Sequence, residues 1–135
     1  MRAMLELAMD YGKGPVQIKT ISQRENISNK YLEQLIAMLK AAGFVRSMRG
    51  PKGGYTLDRP PEQISLLEIF TTLEGPMQVV DCLLHPEFCS RCSDCATRLI
   101  WSQLQQAIVD TLEGMTLKDL VERGMSLCEN KNYQI

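Results

Sequence analysis

The sequence has a single histidine and no apolar run long enough to cross a membrane. With His85 as the only imidazole, the chain offers no cluster of acid and base groups of the kind that enzymes place in an active site. Its apolar stretches fall short of the roughly 20 residues that a membrane-spanning helix needs, and residues 1–9 carry Arg2 and Glu6 and lack a cleavage-like end. The sequence therefore predicts a cytoplasmic protein with no membrane partner, and an enzyme is the least favoured class.

Structural disulfides are also disfavoured. The chain has five cysteines, an odd number, and a reducing cytoplasm keeps thiols free. Four of them, Cys82, Cys89, Cys92 and Cys95, stand close together in sequence, whereas Cys128 lies far downstream. Thiolates at such short spacings can converge on one metal ion or iron-sulfur cluster. The segment 82–95 therefore predicts metal or redox chemistry.

The net charge of -1 conceals two oppositely charged halves. Residues 1–59 hold ten Lys and Arg against five Asp and Glu, a net +5, and residues 60–135 hold five against eleven, a net -6. A basic segment of this kind is suited to a polyanion, so the first half is predicted to bind nucleic acid.

The pattern of the basic half predicts a helix-turn-helix. Apolar spacing predicts a first helix over residues 1–9, a second over 17–25 and a third over 29–42. Ser28 is a good N-cap for the third helix, and Gly43 is a typical residue after a helix end.

A short hairpin is predicted to follow the third helix. Residues 44–48 and 55–57 are of strand length, and the glycine-rich segment 50–54 between them suits the tip of a wing. The third helix is of a width that a major groove accepts, and its polar residues together with the wing offer groups for bases and phosphates. The candidate DNA-contacting residues are Ser28, Asn29, Lys30, Tyr31, Glu33, Gln34, Arg49, Gly50, Lys52 and Gly53.

The second half is predicted to contain a connecting helix, a cysteine loop and a dimerisation helix. A connecting helix over about 65–73 lies within segment 61–81, the cysteine loop spans 82–95, and the longest helix covers 96–113. A short helix over 116–123 closes segment 96–125, and 126–135 is predicted to be a flexible tail. The long helix has an apolar face that we expect to pack against a second copy, formed by Leu99, Ile100, Trp101, Leu104, Ile108 and Leu112. A two-fold dimer predicts a nearly palindromic site in double-stranded promoter DNA.

Three motifs resemble a known family, the winged helix-turn-helix transcriptional regulators that include IscR, NsrR and CymR. They are ISNKYLEQL at 27–35, RGPKGGY at 49–55, and CATR at 95–98 with Trp101. The resemblance covers most of residues 1–123, and the chain looks most like the iron-sulfur regulator IscR. It implies a mostly α fold with a small β-wing, in which a winged helix-turn-helix domain, here residues 1–60, is joined to a long dimerisation helix.

The resemblance also implies a cofactor. Cys82, Cys89 and Cys95 match the family's three cluster cysteines, so an iron-sulfur cluster is expected, with 2Fe-2S favoured over 4Fe-4S. Glu33 matches an acidic residue that helps the family discriminate promoter types, and Arg49 matches its wing contact.

Two departures from the family leave questions open. Family members usually begin earlier, with a segment rich in Ser, Thr, Arg, Gly and aromatic residues, whereas this chain starts inside the first helix. IscR proteins have a histidine where this chain has Arg98, which cannot ligate iron. Three candidates for the fourth ligand stay open: Cys92, His85 and a carboxylate from the partner subunit.

The resulting hypothesis is a dimeric regulator whose promoter binding is controlled by the cluster, with iron-sulfur biogenesis genes as targets. The alternatives are a repressor that responds to nitric oxide or thiol oxidation, as NsrR and CymR suggest, and a DNA binder in which zinc holds the cysteine loop without cluster sensing.

Overall fold

The computed structural model describes residues 1–132 and is mostly helical with one small sheet. In chain order its elements are α1 (Arg2–Met9), α2 (Ile18–Glu25), α3 (Asn29–Ala41), β1 (Val45–Met48), β2 (Gly54–Leu57), α4 (Leu66–Glu74), α5 (Ala96–Glu113) and α6 (Leu117–Asn132). The predicted fold class is confirmed. None of the helices in this described part is both long and apolar enough to span a membrane.

One hydrophobic core joins the beginning of the chain to its last helix. The largest fully buried side chains come from α1, α2, α3, β2, α4 and α6 and from the turn before α4: Met4, Leu7, Ile21, Leu32, Ile36, Leu39, Leu57, Ile64, Ile69 and Leu117. Leu117 is completely buried, and α6 packs against α1. The core of the winged domain therefore extends beyond residues 1–60.

Local signals in the sequence fix α3. Ser28 has an extended backbone, and its hydroxyl accepts a hydrogen bond from the Tyr31 amide at 3.2 Å, which satisfies one free amide of the first turn. At the other end Gly43 has φ +83°, a conformation that favours glycine. The helix bounds agree with the prediction to within one residue.

The wing is an antiparallel hairpin anchored at its base. β1 and β2 pair in register from Val45 with Leu57 to Met48 with Gly54. Val16, in the segment before α2, exchanges two backbone hydrogen bonds with Tyr55, both at 2.8 Å. A Cβ on Gly54 would lie 2.5 Å from the Val16 carbonyl oxygen, so only glycine allows this close approach.

The first turns of α4 and α6 lie side by side, and each has a capping box. The Ser65 hydroxyl and Glu68 carboxylate exchange hydrogen bonds with each other's backbone amides, and Thr116 and Asp119 do the same. Backbone bonds from Leu66 to Met115 and from Leu117 to Ile64, at 2.9 and 2.8 Å, join the two turns. The start of the connecting helix is therefore fixed to the start of the last one.

The last helix is longer than the sequence suggested. A short helix was predicted to end at 123, but α6 continues through Gly124 to Asn132. Glycine after a basic residue resembles a stop signal, yet the residues that follow it, which include Met125, Leu127 and Glu129, are good helix formers. The helix therefore occupies most of the segment 126–135 predicted as a tail, and residues 133–135 lie outside the described part.

Candidate nucleic-acid interface and cysteine site

The polar side chains of α3 form one continuous exposed face. Leu32, Ile36 and Leu39 point into the core, which leaves the opposite face to solvent. The predicted contact residues on that face are all exposed: Ser28, Asn29, Lys30, Tyr31, Glu33 and Gln34. Because hydroxyl, amide, ammonium and carboxylate groups stand together on it, this face can bond to both phosphates and base edges.

The wing places further positive charge beside α3. Arg49, Gly50 and Lys52 are exposed at its tip, and Gly53 is half-buried. The Gly53 amide donates to the Gly50 carbonyl at 2.9 Å and closes the turn. The tip therefore presents two cations on a tight backbone, which suits contact with phosphate.

A contact that the sequence did not reveal ties α3 to the wing. The Lys40 ammonium, in the last turn of α3, donates to the Ser47 hydroxyl of β1 at 3.1 Å. The contact depends on the angle between helix and hairpin, for which the sequence carries no periodic signal.

The cysteine loop consists of short turns held against α5. Three 3₁₀ turns, Asp81–Leu83, Pro86–Phe88 and Cys92–Asp94, contain or flank the cysteines. At its start the Val79 amide donates to the Gln105 side-chain oxygen of α5 at 3.1 Å. All the cysteines are free thiols, and the four in the loop are half-buried or exposed. They are therefore accessible to a ligand or an oxidant.

Cys95 lies at the N-terminus of α5, where a thiolate is favoured. Its sulfur is 3.0 Å from the Thr97 hydroxyl. That hydrogen bond, followed by one from the Arg98 backbone amide, lowers the pKa of the Cys95 thiol below its ordinary value. The positive end of the helix dipole acts in the same direction. Because thiolates are the form that binds iron or zinc, Cys95 fits the role of a ligand.

Cys92 has a different environment. Burial raises the pKa of its thiol, and the nearby Cys89 and Cys82 raise it further, while Arg98 opposes them. The Cys92 thiol therefore feels both Cys89 and Cys82. Without a cation to neutralise them, neighbouring thiolates repel, so this group is suited to a bound metal or cluster.

Arg98 lines a cleft together with cysteines. The cleft has a volume of about 370 Å³, and its walls include Cys92, Cys95 and Leu99. The Nε atom of Arg98 is buried, and within residues 1–132 it has no hydrogen-bond partner. An unsatisfied buried donor beside thiols fits an anionic group, which a thiolate-bound cluster would be.

His85 is not among the residues that line this cleft, and it contacts its own neighbours in the loop. Its Nδ1 atom is 3.2 Å from a Glu87 carboxylate oxygen, and its ring lies 5.1 Å from that of Phe88. Across the described residues, no three His, Cys, Asp or Glu side chains stand close enough together to hold a metal ion. The donor types for a cluster are present, and ligation by Cys82, Cys89 and Cys95 would require the loop to close around it.

Most of the predicted dimerisation face is open to solvent. Leu99 is 65% exposed and Ile100 is 61% exposed, and Trp101 and Leu104 are also exposed. Ile108 is half-buried, and Leu112 packs against the core. The first half of α5 therefore displays an apolar surface of a kind that a monomer seldom leaves uncovered.

Comparison with known proteins finds relatives that match most of the chain. The family model "Rrf2: Iron-dependent Transcriptional regulator" matches residues 1–123. The HTH-type transcriptional regulator CymR of Bacillus subtilis is 40% identical over 117 residues, which are 87% of this chain and 80% of CymR.

Solved structures agree with these matches. The structure of CymR, titled the global cysteine regulator of B. subtilis, superposes with a TM-score of 0.78 at 38% identity and covers 90% of this chain and 89% of CymR. T. potens IscR superposes with a TM-score of 0.75 at 36% identity and covers 91% of this chain and 80% of IscR.

Proposed function

This chain belongs to the Rrf2 family of transcriptional regulators, which are DNA-binding proteins, and on that premise we propose that an iron-sulfur cluster controls its binding to promoters. The protein acts as a cytoplasmic homodimer without enzymatic activity. Iron-sulfur cluster biogenesis genes are its proposed targets. The observation that carries the proposal is the cysteine loop itself, whose accessible thiols end at Cys95 and are followed in α5 by Arg98, a buried donor that has no partner within residues 1–132.

DNA contact is assigned to the exposed face of α3 and to the wing tip. Lys30, Arg49 and Lys52 neutralise phosphates, while Asn29 and Gln34 are suited to adenine and Glu33 to the amino group of cytosine. The Lys40 bond to Ser47 links the last turn of α3 to β1, and in this proposal the two surfaces engage DNA as one unit.

Dimerisation is assigned to the open apolar face of α5. Pairing two copies would remove Leu99, Ile100, Trp101 and Leu104 from water, which is favourable for surface of this type. A two-fold dimer presents two α3 helices to successive major grooves, so the proposed DNA site is nearly palindromic.

The proposed cluster ligands are Cys82, Cys89 and Cys95. Cys92, His85 and a carboxylate of the partner subunit are the three candidates for the fourth position. We favour a 2Fe-2S cluster, and 4Fe-4S is the alternative. When bound, such a cluster would make loop conformation responsive to iron supply and oxidation. The residues of the chain supply a thiol of lowered pKa at Cys95 and a hydrogen-bond donor at Arg98.

The experiment is an ultraviolet-visible spectrum with iron and sulfide assays on protein purified without oxygen. We expect visible absorption that Cys82→Ala, Cys89→Ala and Cys95→Ala each abolish. Cys92→Ala decides whether Cys92 is the fourth ligand, and Cys128→Ala is the control because Cys128 lies outside the loop, on α6. Colourless, iron-free wild-type protein would refute the cluster proposal.

The effect of the cluster on DNA affinity is measured on the same samples. A duplex selected from a random library by the wild-type protein serves as the probe, and fluorescence anisotropy compares loaded with cluster-free protein. Equal affinities would mean that the cluster does not control binding.

A thiol-responsive repressor is the second candidate. It is favoured by the similarity to CymR, which is named as a cysteine regulator. Colourless protein that binds DNA until a mild oxidant is added would support it. Colourless protein that contains zinc and is insensitive to oxidant would instead support a zinc-held loop.

A further inference from the structure

A single arginine joins the DNA-binding surface to the helix that leads to the cysteine loop. Arg59 follows β2, and its Nη2 atom donates to the Gln63 carbonyl at 2.7 Å. The same nitrogen is 3.3 Å from each carboxylate oxygen of Glu68, in the first turn of α4. The guanidinium carbon lies 5.2 Å from the centre of the Phe44 ring. Arg59 therefore contacts α4 on one side and the junction of α3 and β1 on the other.

Phe44 is bonded to both proposed DNA-binding elements, α3 and the wing. Its ring is buried, and its amide donates to the carbonyl of Leu39 in α3 at 3.0 Å. Its carbonyl accepts from the Asp58 amide at 2.9 Å, which extends the pairing of the wing by one bond. A displacement of the ring would thus move the end of α3 and the base of the wing together.

Glu68 is fixed to the first turn of α4. Its carboxylate caps the helix by accepting from the Ser65 amide at 2.9 Å, so Glu68 moves with the first turn. α4 has nine residues, packs against both α3 and α5, and ends at Glu74, shortly before the cysteine loop. If the helix shifts as a rigid body, a displacement at its end also reaches its first turn and the start of α6 to which that turn is joined.

We infer that Arg59 is a positioning residue that couples the state of the cysteine loop to the geometry of α3 and the wing. The inference rests on the proposed function, because it requires loop and DNA to be linked. Arginine suits this role because a single Nη2 group reaches both the Gln63 carbonyl and the Glu68 carboxylate while the planar guanidinium lies against the Phe44 ring. Lysine has one ammonium and no such plane.

The test compares wild-type protein with Arg59→Gln, Arg59→Lys and the control Arg46→Gln. Arg46 is on β1, pairs with Asp58 at 3.8 Å and is exposed, so its replacement removes the same charge from the hairpin without touching α4. For each protein, anisotropy with the selected duplex gives the affinity ratio between the loaded and cluster-free forms, and visible absorption gives cluster content.

We expect the wild-type ratio to be about fivefold or more, a typical size for coupling between two sites, and to fall to within about twofold in both Arg59 variants. Cluster content and dimer mass should not change, and Arg46→Gln should keep the wild-type ratio. A wild-type ratio in Arg59→Gln would overturn the inference, since a residue that merely stabilises the fold would leave the ratio intact.

Hydrogen exchange separates failure of this inference from failure of the proposed function. In cluster-free protein, amides over residues 44–58 should exchange faster in Arg59→Gln than in wild type or Arg46→Gln. If loaded and cluster-free wild-type protein bind DNA equally, the proposed function fails and no coupling exists, whatever the exchange result. If they differ but neither the ratio nor the exchange responds to Arg59, only the inference fails.

Discussion

Replacing Gly54 with alanine should detach the wing from its anchor. The added Cβ would lie 2.5 Å from the Val16 carbonyl oxygen and 2.7 Å from its carbon, on backbone that has φ +150°. Carbon and oxygen need roughly 3.5 Å, so the two segments must separate by about 1 Å. The two Val16–Tyr55 hydrogen bonds, now 2.8 Å long, would then stretch to about 3.8 Å and be lost.

The free energy of unfolding should fall by two separable amounts. Strain from a positive φ costs roughly 1–2 kcal/mol for a residue with a side chain, and two lost backbone hydrogen bonds cost about 2 kcal/mol together. Gly12→Ala is the matched control, because Gly12 has φ +81° but a Cβ there would meet nothing within 4 Å. Because φ +150° is also harder for a residue with a side chain than φ +81°, Gly54→Ala should be at least about 2 kcal/mol less stable than Gly12→Ala.

Urea unfolding followed by circular dichroism measures that difference, and anisotropy with the selected duplex should show weaker DNA binding by Gly54→Ala. Equal unfolding free energies for the two alanine variants would refute the argument. The steric contact at Val16 would then contribute nothing to stability.

Three further changes have defined outcomes. Leu104→Glu should convert the proposed dimer to monomer in light scattering, because it would place a charge in the proposed α5 interface, whereas Gln103→Glu on the same helix should leave the proposed dimer intact. Ser65→Ala should lower the unfolding free energy by about 1 kcal/mol in urea, the usual cost of a lost N-cap. The amide of Ser65 and the neighbouring Arg59 lower the pKa of Glu68. The contribution of Glu68 to stability is therefore present above its unfolded pKa and lost as the pH falls through its folded pKa. Glu68→Gln should reduce this acid loss of stability, which we call the acid limb, in urea midpoints measured from neutral to acid pH.

Each of these has a contradicting result. A Leu104→Glu protein that remains dimeric would place the interface elsewhere. Wild-type stability in Ser65→Ala would mean that the α4 cap is not needed, and an unchanged acid limb in Glu68→Gln would assign the pH dependence to other carboxylates.

The winged domain could be predicted because its signals are local. Ser28 caps α3 by bonding an amide three residues later, and Gly43 marks its end by its own backbone conformation. Apolar spacing then identified the buried side of the helix, and with it the exposed polar side. These features depend on residues within one or two turns of each other.

The remaining features depend on contacts between distant residues. The bond from Lys40 to Ser47 and the bond from Val79 to Gln105 require a particular packing angle, which no spacing rule encodes. The same holds for the cysteine loop, whose composition indicates ligands while the direction of each thiol depends on α5. The end of α6 was predicted too early, because Gly124 resembles a C-terminal helix signal although the residues around it favour helix.

Leu117 also determines when the domain can form during synthesis. A ribosome that has released only the helix-turn-helix and wing has produced a core that still lacks this side chain, and α1 still lacks its packing partner α6. The entropy cost of loop closure grows only slowly with length, but contacts between residues so far apart in sequence slow folding. The nascent protein therefore cannot complete its DNA-binding half until its C-terminal helix has emerged, and a chain truncated after α5 would lack that half's last core residue.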